Sequence, residues 1–174
     1  MNPQLIINDE AVVEQNIAKV RQSMAVTSEK LTHLLNTNPK DAFYEMKFGK
    51  IGQEPLEGTP LNLIEQLNQV YTYLVSLYGV KFLIKRYPEY APFKLNLGTT
   101  GGYDIESIDG NIICECFSTT SLRSNDKVNK DAKRLMSNKK AEKRFIFYHT
   151  PGNENVTYYE EKYDEIKFVK IELE

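Results

Sequence analysis

The stretch GGYDIESIDGNIICECFSTTSLRSNDKVNKDAKRL, Gly101 to Leu135, decides the fold. At its centre Asp109-Gly110 separates two segments rich in strand-forming residues, 103–108 and 111–117. An Asp-Gly pair suits the type I′ turn of a hairpin, which requires positive φ at both central residues. A two-residue loop then pairs Ile108 with Asn111, so paired positions sum to 219. Asp104 falls directly opposite Glu115, and Glu106 opposite Ile113 on the same face. The other face sets Tyr103 and Ile105 against Cys116 and Cys114, a core-like surface. Directly opposed like charges destabilise a strand pair. Three things can compensate two facing carboxylates: a hard cation, a shared proton that raises one pKa, or a basic side chain. Otherwise the strands are exposed or bulged and the acids are solvated. Residues 125–137 follow as a helix with Val128, Ala132, Leu135 and Met136 inward and Lys127, Lys130 and Arg134 along one flank.

Working outward, Arg144–His149 is an apolar strand, with further strands expected at 156–162 and 166–173. Upstream, Phe93–Leu97 is a short strand. Thr59-Pro60 places a capping residue before proline and predicts a helix start. That helix runs to about Arg86 and stops before Pro88. Residues 9–25 form a helix capped by Asn8 or Asp9. Thr27 begins a second short helix that Asn38-Pro39 ends. Residues 41–58, with Gly49, Gly52, Pro55 and Gly58, are expected to be an irregular, mobile loop. The 174 residues are sufficient for one domain, 1–174, in which 1–58 is a helical extension and loop and 59–174 the core.

Composition narrows the setting. No apolar run approaches the 18 or so residues of a membrane span, and the start lacks the pattern of a signal peptide. Cys114 and Cys116, two apart on a strand, do not suggest a disulfide framework. A cytosolic protein without a membrane is expected. The net charge is −2, but nine Lys/Arg against three acids make 123–144 a +6 segment within a chain otherwise −8. Such a stripe attracts phosphate, although a charge run is more often a solvated helix face.

Other constellations are weaker. A zinc site needs four ligands, and His33 and His149 are far from the cysteine pair in sequence. No serine sits in a nucleophile elbow. The glycines of 98–102 lack the lysine and helix of a phosphate loop and read as a turn. The eleven tyrosines can stack bases, though core packing is their commoner role.

The order helix 60–86, strands 93–97, 103–108 and 111–117, helix 125–137, strand 144–149 resembles the PD-(D/E)xK nuclease superfamily. That resemblance covers about 90 of the 174 residues. It implies a restriction endonuclease-like α/β fold, a central mixed β-sheet flanked by helices. It also implies a metal held by Asp104 and Glu115, with the backbone carbonyl of Cys116 as a further ligand and Glu65 joining from the first core helix. The family's lysine lies two residues after the Glu, and here that position is Phe117. Some relatives recruit the lysine from the next helix, where Lys127 is the first choice and Lys130 the second; alternatively, Phe117 marks a member that has lost catalysis. The implied activity is Mg²⁺-dependent (Mn²⁺ as substitute) endonucleolytic hydrolysis of DNA, of restriction type, by a homodimer. Arg123, Lys130, Lys133, Arg134 and the loop 41–58 would contact the DNA. The alternatives are a catalytically inactive nuclease fold that binds nucleic acid or assembles a complex, and an interaction protein with a coincidental acid pair.

Overall fold

The computed structural model describes residues 4–98 and 101–173. The chain forms two compact units, one built from residues 1–13 and 75–174, the other from residues 14–74. The first carries a six-stranded mixed sheet flanked by helices. Its strands are β1 (Gln4–Ile7), β4 (Phe93–Asn96), β5 (Ile105–Ser107), β6 (Ile112–Ser118), β7 (Lys143–His149) and β8 (Ile166–Lys170). They lie in the order β1-β4-β5-β6-β7-β8. Pairing is antiparallel from β1 through β6, then parallel from β6 to β7 and from β7 to β8. Helix α4 (Lys127–Ser137) makes the crossover between β6 and β7, as a parallel connection requires.

The two faces of β6 follow its alternation. Ile113 and Phe117 enter an apolar cluster with Leu122, Val128, Ala132, Leu135, Ile146 and Tyr148. The i, i+4, i+7 stripe Val128–Ala132–Leu135 of α4 therefore packs on that face. Cys114 and Cys116 point the other way and are buried free thiols. The C-terminal half of α3 (Leu63–Arg86) packs in that unit too. Gly79 permits the approach: a Cβ there would sit 2.8 Å from the Phe147 ring.

The hairpin register is the expected one, with Ile105 opposite Cys114 and Glu106 opposite Ile113. The turn differs. Gly110 N–H donates to Ser107 O at 2.9 Å, and Gly110 has φ 75° while Asp109 does not adopt positive φ. The reversal is therefore not type I′. It spreads over 108–111, where Asp109 Oδ1 accepts from Asn111 N–H and the Ser107 hydroxyl. Strand β5 also starts late, so Tyr103 leaves the cysteine face and packs against the α4-side cluster.

Other boundaries shift for local reasons. Helix α1 is continuous over Glu10–Thr37. Asp9 caps it through Val12 N–H at 3.0 Å, but the Thr27 hydroxyl bonds Gln66 Oε1 at 2.7 Å and caps nothing. With no Gly or Pro nearby, nothing breaks the helix. The expected loop 41–58 holds helix α2 (Ala42–Phe48) and strand β2 (Gly52–Gln53). Pro60–Leu61 is strand β3, paired with β2, so proline does not open α3. Asn62 caps that helix instead, its Oδ1 accepting from Glu65 N–H at 2.9 Å. Residues Thr157–Lys162 form helix α5, not a strand. Its first turn is seeded by Asn155 Oδ1, which accepts from Thr157 N–H at 2.8 Å. Strand β1 was not anticipated. Within the Gly98–Gly102 turn, Thr99 and Thr100 lie outside the described residues. Among the described residues no helix is long and apolar enough to cross a membrane.

Candidate metal and phosphate site

Continuing the β5–β6 register places Asp104 opposite Glu115. Asp104 Oδ2 accepts the Cys116 N–H at 2.7 Å, and the two carboxyl groups lie within hydrogen-bonding reach of each other. Glu115 is 2% exposed, set between Ile113 and Phe117 under α4. Burial first, then the neighbouring Asp104, push its pKa up to about 8 against the pull of Arg134. Burial likewise raises Asp104, although the Cys116 N–H and Lys127 work against it.

Three residues of α4 face this pair at i, i+4 and i+7: Lys127, Asp131 and Arg134. The Lys127 amine lies 2.9 Å from Asp131 Oδ1 and 2.8 Å from Oδ2. Burial works to lower the pKa of Lys127, but the hydrogen bond and charge of Asp131, with Asp104 and Glu115 behind, raise it instead. Burial raises Asp131 as well, yet the close two-oxygen contact marks a charged pair. The Lys127 amine also sits 5.9 Å from the centroid of the Phe117 ring. The lysine from the helix thus hangs over the Phe117 ring.

Arg134 reaches Glu115 Oε1 at 2.8 Å, stacks 5.0 Å over the Tyr103 ring and donates to Gly102 O. It approaches Oε1 as a charge, without hydrogen-bond geometry, and that buried oxygen has no hydrogen-bond partner. Arg134, expected on the nucleic-acid surface, is thus turned to the acid pair. Lys130 points away and donates to Asn125 O at 3.0 Å. Arg123, Lys130 and Lys133 are exposed. Glu65 is exposed in the first turn of α3 and belongs to the other compact unit. Asp131 was not singled out from the sequence; its spacing four after Lys127 and three before Arg134 was the available signal.

Among the described residues no group of three or more His, Cys, Asp or Glu is gathered to hold a metal. Asp131 is committed to Lys127, which leaves two carboxylates. A magnesium ion accepts such a set, since it keeps waters and takes further oxygens from a phosphate. Glu115 Oε1, which meets Arg134 as a charge at 2.8 Å without a hydrogen bond, fits that donor role. The thiols do not: burial raises both cysteines well above the usual thiol range, so they stay protonated and inert. No protein-family model, no curated protein and no solved structure matches the chain.

The loop into α4 is strained. Asn125 and Asp126 have φ 53° and 55°, a left-handed conformation that Asn and Asp tolerate better than other non-glycine residues. It sets the direction from which Lys127 enters the site.

Proposed function

We propose that this chain is a metal-dependent endonuclease of the PD-(D/E)xK type that hydrolyses DNA. The observation that carries the reading is the meeting of Asp104 and Glu115 on facing strands with Lys127 delivered over Phe117 from α4. The order α3-β4-β5-β6-α4-β7, with three antiparallel strands and a fourth parallel to the third, is the order of the resembling fold.

Asp104 and Glu115 would hold Mg²⁺ or Mn²⁺, with the Cys116 carbonyl as a further oxygen. Such a metal polarises the scissile phosphate and lowers the pKa of bound water. Asp131 holds Lys127 cationic and aimed, and Lys127 offsets charge at a non-bridging phosphate oxygen or orients the attacking water. Arg134 must release Glu115 when the metal enters, and its guanidinium is then free for phosphate. Arg123, Lys130 and Lys133 contact the DNA backbone. Glu65 rests on the resemblance alone. A homodimer follows if both strands of a two-fold site are cut. Free buried cysteines fit a reducing, cytoplasmic setting.

A second reading keeps the fold and drops the catalysis. It is favoured by Arg134, which already sits against Glu115 Oε1 where a metal would bind, and by Phe117 in the lysine position. Plasmid DNA incubated with Mg²⁺ separates the two. Nicking by the wild type, lost in Asp104→Ala, Glu115→Ala and Lys127→Ala, supports the enzyme. Salt-dependent DNA binding without nicking supports the inactive module.

A further inference from the structure

A cavity of about 320 Å³ outside the acid pair is lined by Arg123, Asn155, Tyr158 and Tyr159. One wall is the loop after β6, the other the start of α5. The walls are tied together. Glu154 Oε2 accepts from Leu122 N–H at 2.8 Å and from the Ser121 hydroxyl at 3.2 Å. The Tyr159 hydroxyl donates to Leu122 O at 3.3 Å. Glu154 is thereby spent on the loop.

The side chains left over have a definite chemistry. Tyr158 is 62% exposed and stands at 75° to the buried Tyr159, ring centroids 5.2 Å apart. The Lys162 amine lies 5.6 Å from the Tyr158 centroid but is held there by Asn129, donating to its Oδ1 at 2.9 Å. Asn155 uses Oδ1 on Thr157 N–H, leaving its amide nitrogen to donate. Arg123 forms no ion pair among the described residues. An exposed aromatic ring, a free amide donor and the Arg123 guanidinium match a planar base joined to a phosphate. A base stacks on an aromatic ring whatever its identity, and arginine takes the phosphate.

We propose that this cavity binds one unpaired nucleotide of a nucleic-acid strand, its base stacked on Tyr158, its edge accepting from Asn155 and its phosphate on Arg123. The site rests on the nucleic-acid reading above and narrows the substrate to DNA with an unpaired or extruded base.

The test uses the full chain without divalent metal and a duplex bearing a single unpaired 2-aminopurine, whose fluorescence falls on stacking. The wild type should quench it. Tyr158→Ala should weaken binding roughly 5- to 150-fold, the size of one base–aromatic stack. Tyr158→Phe should bind as the wild type does, and the fully paired duplex should bind both proteins alike. Circular dichroism checks that the Ala variant is folded. Equal binding of the unpaired probe by wild type and Tyr158→Ala overturns the proposal, as does equal weakening on paired DNA. Competition by free 2-aminopurine deoxynucleoside monophosphate as strong as by the strand also overturns it, in favour of a free-nucleotide pocket. Absence of Mg²⁺-dependent nicking with the stacking retained sinks the nuclease reading alone. Absence of any DNA binding sinks both.

Discussion

Replacing Glu115 by Gln separates a buried acid that prefers its proton from one that prefers its arginine. Glu115 is carried from an ordinary 4.5 to about 8, by burial and then by Asp104, in spite of Arg134. At 1.36 kcal/mol per pH unit, holding it ionised in the fold costs at most roughly 5 kcal/mol relative to the unfolded chain. The sign follows from proton counting. Between 4.5 and about 8 the folded chain holds a proton that the unfolded chain has lost, so stability falls as pH rises through that window. Glutamine imitates the protonated acid and can donate to Asp104 in its place, so the variant lacks this dependence. Urea denaturation at pH 5, 7 and 9 should give nearly equal stabilities at pH 5. The variant should gain progressively on the wild type and lead by several kcal/mol at pH 9. A difference that does not change with pH would refute the reasoning. So would a variant that loses ground as pH rises, because that would mean the ionised Glu115–Arg134 pair stabilises the fold.

Three further outcomes follow from the same geometry. Phe117→Lys places a charge in the α4-side core beside Tyr148 and should cost about 3 kcal/mol or more by urea melt; a variant as stable as the wild type would contradict that packing. Asp131→Asn removes a charge and hydrogen bond that raise the pKa of Lys127, so the alkaline limb of the pH–rate profile for the proposed DNA nicking should move to lower pH; an unmoved limb would remove Asp131 from this role. Asn125→Gly relieves a left-handed backbone at an exposed site and should raise stability by about 1 kcal/mol in thermal melts, where a loss would deny the strain.

The hairpin was legible because side-chain alternation ties register to face. The two-residue loop read at Asp109-Gly110 set Ile105 on Cys114 and Asp104 on Glu115, and that register holds even though the turn there is not type I′. Helix α4 was legible for the same kind of reason, since Val128, Ala132 and Leu135 repeat at helical spacing. Misreadings arose where a local signal had a stronger competitor. Thr59-Pro60 looks like a helix start, but pairing with β2 claims Pro60 and the cap passes to Asn62. Thr27 looks like a cap, but its hydroxyl is committed to Gln66, 39 residues away. The tyrosines at 158 and 159 favour strand, yet Asn155 turns the backbone into a helix. Within the site, the facing acids followed from the hairpin register, while the choice of Lys127 came from the resemblance. The inward turn of Arg134 was not, because a helix flank does not reveal which of its cations meets a buried partner.

Manganese soaked into crystals of the wild type can be located by its anomalous scattering. One peak is expected, coordinated by Asp104 and Glu115, with the Lys127 amine still on Asp131 and Arg134 withdrawn from Glu115. A map with no peak there, and Arg134 still against Glu115 Oε1 at saturating manganese, would contradict it.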